Sequence, residues 1–138
     1  MGITTKRKIL WLRIGYWLGA VVDGAWIIPM MFPSIGLPLF GVENYNPDIY
    51  YRFAMAVASA LMLGWTVLLI WADRKPIERR GILLLTVVPV KVCCDLAVIY
   101  PFAHGLFRLE SMIGFWIHDV IVYGIMIYAY VNSRDLAK

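Results

Sequence analysis

The chain has 138 residues, 62% of them hydrophobic and 14% aromatic, with a formal net charge of +4. A soluble domain holds roughly 45–50% apolar residues, so a chain this short and this apolar has too little polar surface to enclose a water-soluble core. It reads as one integral membrane domain over residues 1–138. The positive balance would suit nucleic acid, but the basic residues lie between apolar runs and act as topology signals, so no nucleic-acid partner is expected.

Met1 to Lys8 is polar and basic. A secretory signal is the alternative reading, but Arg13 and Asp23 interrupt the apolar stretch and no small-x-small cleavage site follows. A retained first span is expected over about residues 9–32, with Arg13 snorkelling to the headgroups at its cytoplasmic end. Gly15 and Gly19 form a small-xxx-small pair that admits a neighbouring helix. Asp23, one turn further on, falls near mid-membrane. It is either a protonated carboxyl holding helices together or a functional group. Pro29 and Pro33 are expected to end or kink the span.

Residues 33–48 (PSIGLPLFGVENYNPD) hold enough breakers to argue against a helix. Glu43 and Asp48 are the charges in this loop, which marks it as non-cytoplasmic. Its apolar residues Ile35, Leu37, Leu39 and Phe40 are expected to lie across the bundle end or in the interface, as a lid. A second span follows over about 49–71. Its Ala56, Ala60 and Gly64 recur at every fourth position as a close-packing face. Arg52 lies within a turn of Asp48, and the two read as an interfacial anchor.

Residues 73–81 (DRKPIERRG) are the densest charge run, and four basic residues in so short a loop mark it cytoplasmic. With no glycine-rich cradle or Walker pattern, it reads as a loop touching anionic headgroups rather than a nucleotide site. The third span, about 82–102, carries Lys91 and Asp95 at i, i+4 spacing, where the two can pair. Pro89 leaves the carbonyl of Leu85 without its helical donor and should bend the helix beside these charges. Cys93 and Cys94 have neither redox nor zinc spacing and read as small buried side chains. His104 closes this span at the outer rim, where a solvated or capping role is expected. The fourth span, about 111–131, carries His118 and Asp119, which diverge by about 100° as helical neighbours. Asp119 shares its face with Tyr123, Met126 and Tyr130. Arg134 and Lys138 end the chain on the basic side, so an all-α four-helix bundle with both termini cytoplasmic is expected.

Counting rises of about 1.5 Å per residue brings Asp23, Lys91, Asp95, His118 and Asp119 into the middle third of a core about 30 Å thick. Three carboxylates then face one lysine and one histidine. Full ionisation would leave the layer negative in a low dielectric, so one aspartate is protonated or a cation compensates. No cofactor or metal is expected. His104 and His118 lie at different depths, unsuited to one haem iron, and no metal-ligand spacing is present. Four spans are few to enclose a retinal on Lys91.

The run LMLGWTVLLIWADRKPIERRGILLLTVVPV, Leu61 to Val90, resembles a stretch in a family of small four-span membrane proteins of bacteria and archaea, with a fainter echo in GYWLGAVVDGAWIIPMMFPS. The resemblance implies a four-span fold in a prokaryotic inner membrane and no particular activity. The C-x-x-C of quinone-linked disulfide enzymes and the glutamate-arginine signature of glutathione-dependent eicosanoid enzymes are missing. Only the layout of carboxylates and tryptophans is similar to the sterol-isomerase-like group.

Three functional readings follow. The buried layer binds or transports a proton, a cation or a small hydrophobic ligand. Alternatively the chain is an accessory subunit, docking its small-residue faces on a copy of itself or on a partner membrane subunit. The third reading is a lipid-modifying enzyme with paired aspartates as acid and base. The unbalanced charge count favours the first, because a purely structural network should be closer to satisfied. A dual-topology exporter is disfavoured by the consistent bias of basic residues. Membrane lipid is the partner common to all three.

Overall fold

The computed structural model describes residues 3–42 and 46–137, so the expectations placed on Glu43 and Lys138 lie outside the described residues. All regular structure among the described residues is helical: α1 (Ile3–Met31), α2 (Pro33–Leu39), α3 (Ile49–Asp73), α4 (Gly81–Leu85), a π-helical segment (Thr86–Lys91), α5 (Val92–Ala103), α6 (Leu109–Asn132) and a terminal 3-10 turn (Arg134–Ala137). The α4, π and α5 segments form one continuous rod. Together with α1, α3 and α6 it makes four helices long and apolar enough to cross a membrane. These boundaries lie within a few residues of those expected from the sequence, except at the first span. There α1 begins within the basic N-terminus.

The buried positions of α6 are Met112, Asp119, Val122, Met126 and Ala129, a stripe stepping by three, four or seven, as a core-facing helix face requires. On α1, Leu12, Tyr16, Ala20 and Asp23 make the matching stripe. α1 is the central element, lying along both α3 and α6. Gly15 and Gly19 set how closely it approaches them. A methyl carbon on Gly15 would lie 3.2 Å from Leu83, and one on Gly19 would lie 3.0 Å from Leu69 and overlap Met126.

Several expectations are corrected. Residues 33–39, expected as loop, form a helix because Pro33 sits at its first position, where a missing N–H costs nothing. Phe32, pushed out of the helical region by the proline after it, breaks the chain between α1 and α2. Pro29 stays inside α1, near its last turn. Asp48 caps α3 by accepting the Tyr51 N–H at 2.7 Å, while Arg52 donates to the Pro47 carbonyl at 3.2 Å, so they form no anchor pair. The N-cap claims the carboxylate first, since its donor is fixed in the backbone. Ala56, Ala60 and Gly64 lie on the outward face of α3, and a methyl on Gly64 would touch nothing. Cys93 and Cys94 are likewise exposed. The buried face of α3 is instead Ser59, Thr66, Leu69 and Ala72, and α1 occupies that side.

One end of the bundle is basic. Lys8 meets Asp135 at 2.6 Å, Arg80 donates to the Ser133 carbonyl at 3.0 Å and Tyr16 donates to the Pro76 carbonyl at 3.1 Å. The N-terminal segment, the charged loop and the C-terminal turn thus meet at that end. Arg13 lies 3.5 Å from Asp73, whose other oxygen accepts the Trp17 indole. At the far end Trp26, Phe40, Phe107 and Phe115 stack into an aromatic cap. Both α2 and α5 stop there on a glycine at positive φ. Val42 donates to Leu37 after Gly41, and Leu106 donates to Pro101 after Gly105, the double closure that a left-handed residue permits. His104 donates its backbone N–H to Tyr100 and holds its ring on the same carbonyl.

Candidate functional site

Between the aromatic cap and the apolar core at the basic end lies a polar layer built by α1, the third rod and α6. The core on the basic side comprises Leu12, Tyr16, Leu69, Leu83, Val87, Met126 and Ala129. Asp23, Lys91 and Asp119 of this layer are buried, where a polar atom is costly unless it finds a partner within the protein.

Asp23 is 0% exposed and Lys91 6%. The Lys91 ammonium donates to Asp23 Oδ1 at 2.6 Å. This corrects the expected pairing of Lys91 with Asp95. Spacing along one helix makes that pair geometrically available, but Asp95 takes its hydrogen bond from α6. The fully enclosed Asp23 has Lys91 as its donor. An unpaired carboxylate at that depth would cost far more than one at the half-buried Asp95 position.

Lys91 reaches α1 from the end of the π segment. Pro89 has no N–H to give and its ring would crowd the carbonyl one turn back. The chain responds by widening a turn rather than by a simple bend, and Val92 donates to the carbonyl of Val87, five residues back. Thr86 fastens the start of this segment, donating to Ile82 at 2.8 Å and accepting the Trp65 indole N–H at 3.0 Å. A proline, a threonine and a tryptophan on α3 therefore position the lysine.

The second group is a chain of hydrogen bonds. His118 Nδ1 meets Asp119 Oδ1 at 3.0 Å, and the Tyr123 hydroxyl lies 3.0 Å from Asp119 Oδ2 and 2.8 Å from Asp95 Oδ2. The sequence predicts that His118 and Asp119 diverge. Adjacent Cα–Cβ bonds do, but both side chains are long enough to curl together over the helix surface. Tyr123 shares a face with Asp119 in the sequence pattern without standing out as a site residue. Its spacing of four from Asp119 is the signal that could have found it.

Proton counting constrains this chain. A phenol carries a single proton, so Tyr123 donates to one carboxylate and can accept from the other only if that one is protonated. Asp95 and Asp119 are thereby linked through one hydroxyl. Asp23 Oδ2 and Asp95 Oδ1 are both buried with no hydrogen-bond partner. Asp23 and Lys91 thus form one set, and His118, Asp119, Tyr123 and Asp95 the other. Among the described residues no three His, Cys, Asp or Glu side chains converge as a metal ion would need.

The layer meets the surface beside His118, whose side chain is 40% exposed. It contributes to an open groove of about 420 Å³, otherwise lined by apolar residues of α1 and α2. Compared with protein-family models, with curated proteins and with solved structures, the chain matches none.

Proposed function

We propose that this chain is a small polytopic protein of a prokaryotic inner membrane whose buried layer binds a proton and passes it along His118, Asp119, Tyr123 and Asp95. Asp23 and Lys91 are the fixed charges beside that path. Insertion in a bilayer is supported by the outward surface. The most apolar stretches of the four long helices are only 17–28% buried, and so much exposed apolar area is untenable in water. The gathering of Lys8, Arg80 and Arg134 at one end supports cytoplasmic termini. Cysteines introduced at Ser34 and Glu78, in a background with Cys93 and Cys94 changed to serine, test this. An impermeant reagent should label Ser34→Cys on intact cells and spare Glu78→Cys.

The observation that carries the proton reading is the Tyr123 hydroxyl held between two carboxyl groups. A proton on Asp119 can pass to the tyrosyl oxygen as Tyr123 gives its own to Asp95. One O–H bond breaks at Asp119 while one forms at Asp95, and the tyrosine ends unchanged. His118 stands at the exposed end of the path and exchanges with whatever occupies the groove. In liposomes under an imposed pH gradient, the wild type should collapse the gradient faster than empty vesicles, and Tyr123→Phe should behave as the empty vesicles do. Identical traces for all three would remove the reading.

An accessory or self-associating role is the second reading, favoured by the outward Ala56, Ala60 and Gly64 stripe. Native mass spectrometry should then show a dimer or a bound partner subunit that Gly64→Leu disrupts.

A further inference from the structure

The groove at the outer half of the bundle is lined by Val21, Ala25, Trp26 and Pro29 of α1 and by Ile35 and Leu39 of α2, with His118 of α6 among them. Every residue that α1 and α2 contribute is apolar, so His118 is the titratable group an occupant meets. Its partners on the far side are Asp119 and, through it, Tyr123 and Asp95. A volume of about 420 Å³ is within the range of small-molecule sites.

The hydrogen bonding of His118 selects the occupant. When Asp119 is ionised, Nδ1 facing its oxygen carries the ring proton, and a neutral imidazole then presents Nε2 as a bare acceptor. An acceptor in an apolar groove calls for a donor on an apolar body. The carboxylate behind the ring adds negative potential, and the Trp26 indole adds a face suited to a cation. We propose that this groove binds a lipophilic amine in its protonated form, with the N–H pointing at His118 Nε2 and the alkyl body along α1 and α2.

The proposal rests on the proton path and gives it a source. As the amine's proton enters the path, the amine N–H bond breaks while Nε2–H forms, and the Nδ1–H bond breaks as an O–H bond forms on an ionised Asp119. The amine leaves neutral and the path holds one more proton.

The test compares two probes with the same chain, N,N-dimethyloctylamine, protonated near neutral pH, and octyltrimethylammonium, which has no N–H. Isothermal titration into protein in nanodiscs is corrected with empty nanodiscs. A hydrogen bond to a charged donor should make the amine bind about tenfold tighter than the quaternary ion. In His118→Phe, which keeps a ring but no nitrogen, that preference should vanish. Ala25→Trp, at an outward position on α1, should weaken both probes by filling the groove. Equal affinity of the two probes for the wild type would mean that any alkyl chain fits, a lipid tail included, and would overturn the proposal. Unchanged binding in Ala25→Trp would overturn it as well, and neither result depends on whether His118→Phe folds. Gradient collapse in amine-free liposomes depends only on the proton path, so its failure is separately visible.

Discussion

Two lysine–aspartate pairs in this molecule have the same contact distance and opposite settings. Lys91 lies 2.6 Å from Asp23 with side chains 8% and 0% exposed, and Lys8 lies 2.6 Å from Asp135 with side chains 17% and 63% exposed. Distance alone would rank them equal. In the interior, either partner left alone becomes an uncompensated charge without water, whereas at the basic end water and salt take over as soon as the pair opens. The same contrast holds between small-residue faces. Gly15 and Gly19 lie against side chains, while Gly64 faces open space. What surrounds a pattern decides what it does.

The comparison is sharpest at Lys91. Lys91→Ala should lower stability by about 3–5 kcal/mol, because Asp23 is left buried and unpaired. Thermal unfolding in detergent should show part of that loss recovered by adding Asp23→Ala, and none by adding Asp95→Ala. Recovery with Asp95→Ala instead would restore the pairing within one helix. Next comes Tyr123→Phe, which removes one hydroxyl from two carboxyl groups and should cost about 1–3 kcal/mol in the same assay. Gly19→Val, which overpacks against Met126 and Leu69, should cost about 1–3 kcal/mol and be partly relieved by Met126→Ala. Gly64→Val should stay within about 0.5 kcal/mol for the monomer. The smallest effect belongs to Lys8→Ala. Any shift it produces should fade on raising the salt concentration, since an exposed pair is screened. A salt-insensitive loss there would erase the distinction between the two settings.

The helices are legible in the sequence because each apolar run is long and bounded by charges or glycine-proline breakers. A chain of this hydropathy has few other ways to satisfy its backbone. Counting rises along each span sets Asp23, Lys91, Asp95, His118 and Asp119 at one level, and the structure joins them in two hydrogen-bonded groups. Their partners are harder to read. Spacing exposes neighbours on one helix, and so it suggests Lys91 with Asp95. The choice of Asp23 depends on how α1 and the third rod face each other, which no local pattern records. Helical periodicity gives the direction of Cα–Cβ bonds but not the reach of the side chain, which is why the contact between His118 and Asp119 escapes it. Ala56, Ala60 and Gly64 satisfy a packing pattern that carries no information about which side of α3 the bundle occupies. For Pro33, the difference lies in position. A breaker inside a helix is a good start to the next one.

The central claim is that Tyr123 joins a protonated carboxyl to an ionised one. Infrared difference spectroscopy of the protein in lipid, with the tyrosine ring isotopically labelled, reads that arrangement directly. The wild type should show a protonated-carboxyl stretch from the Asp95–Asp119 pair, coupled to the tyrosine band. The stretch should shift in Tyr123→Phe and change again in Asp95→Asn. A spectrum in which both carboxyl groups are ionised, or in which the carboxyl band ignores Tyr123→Phe, would contradict the account.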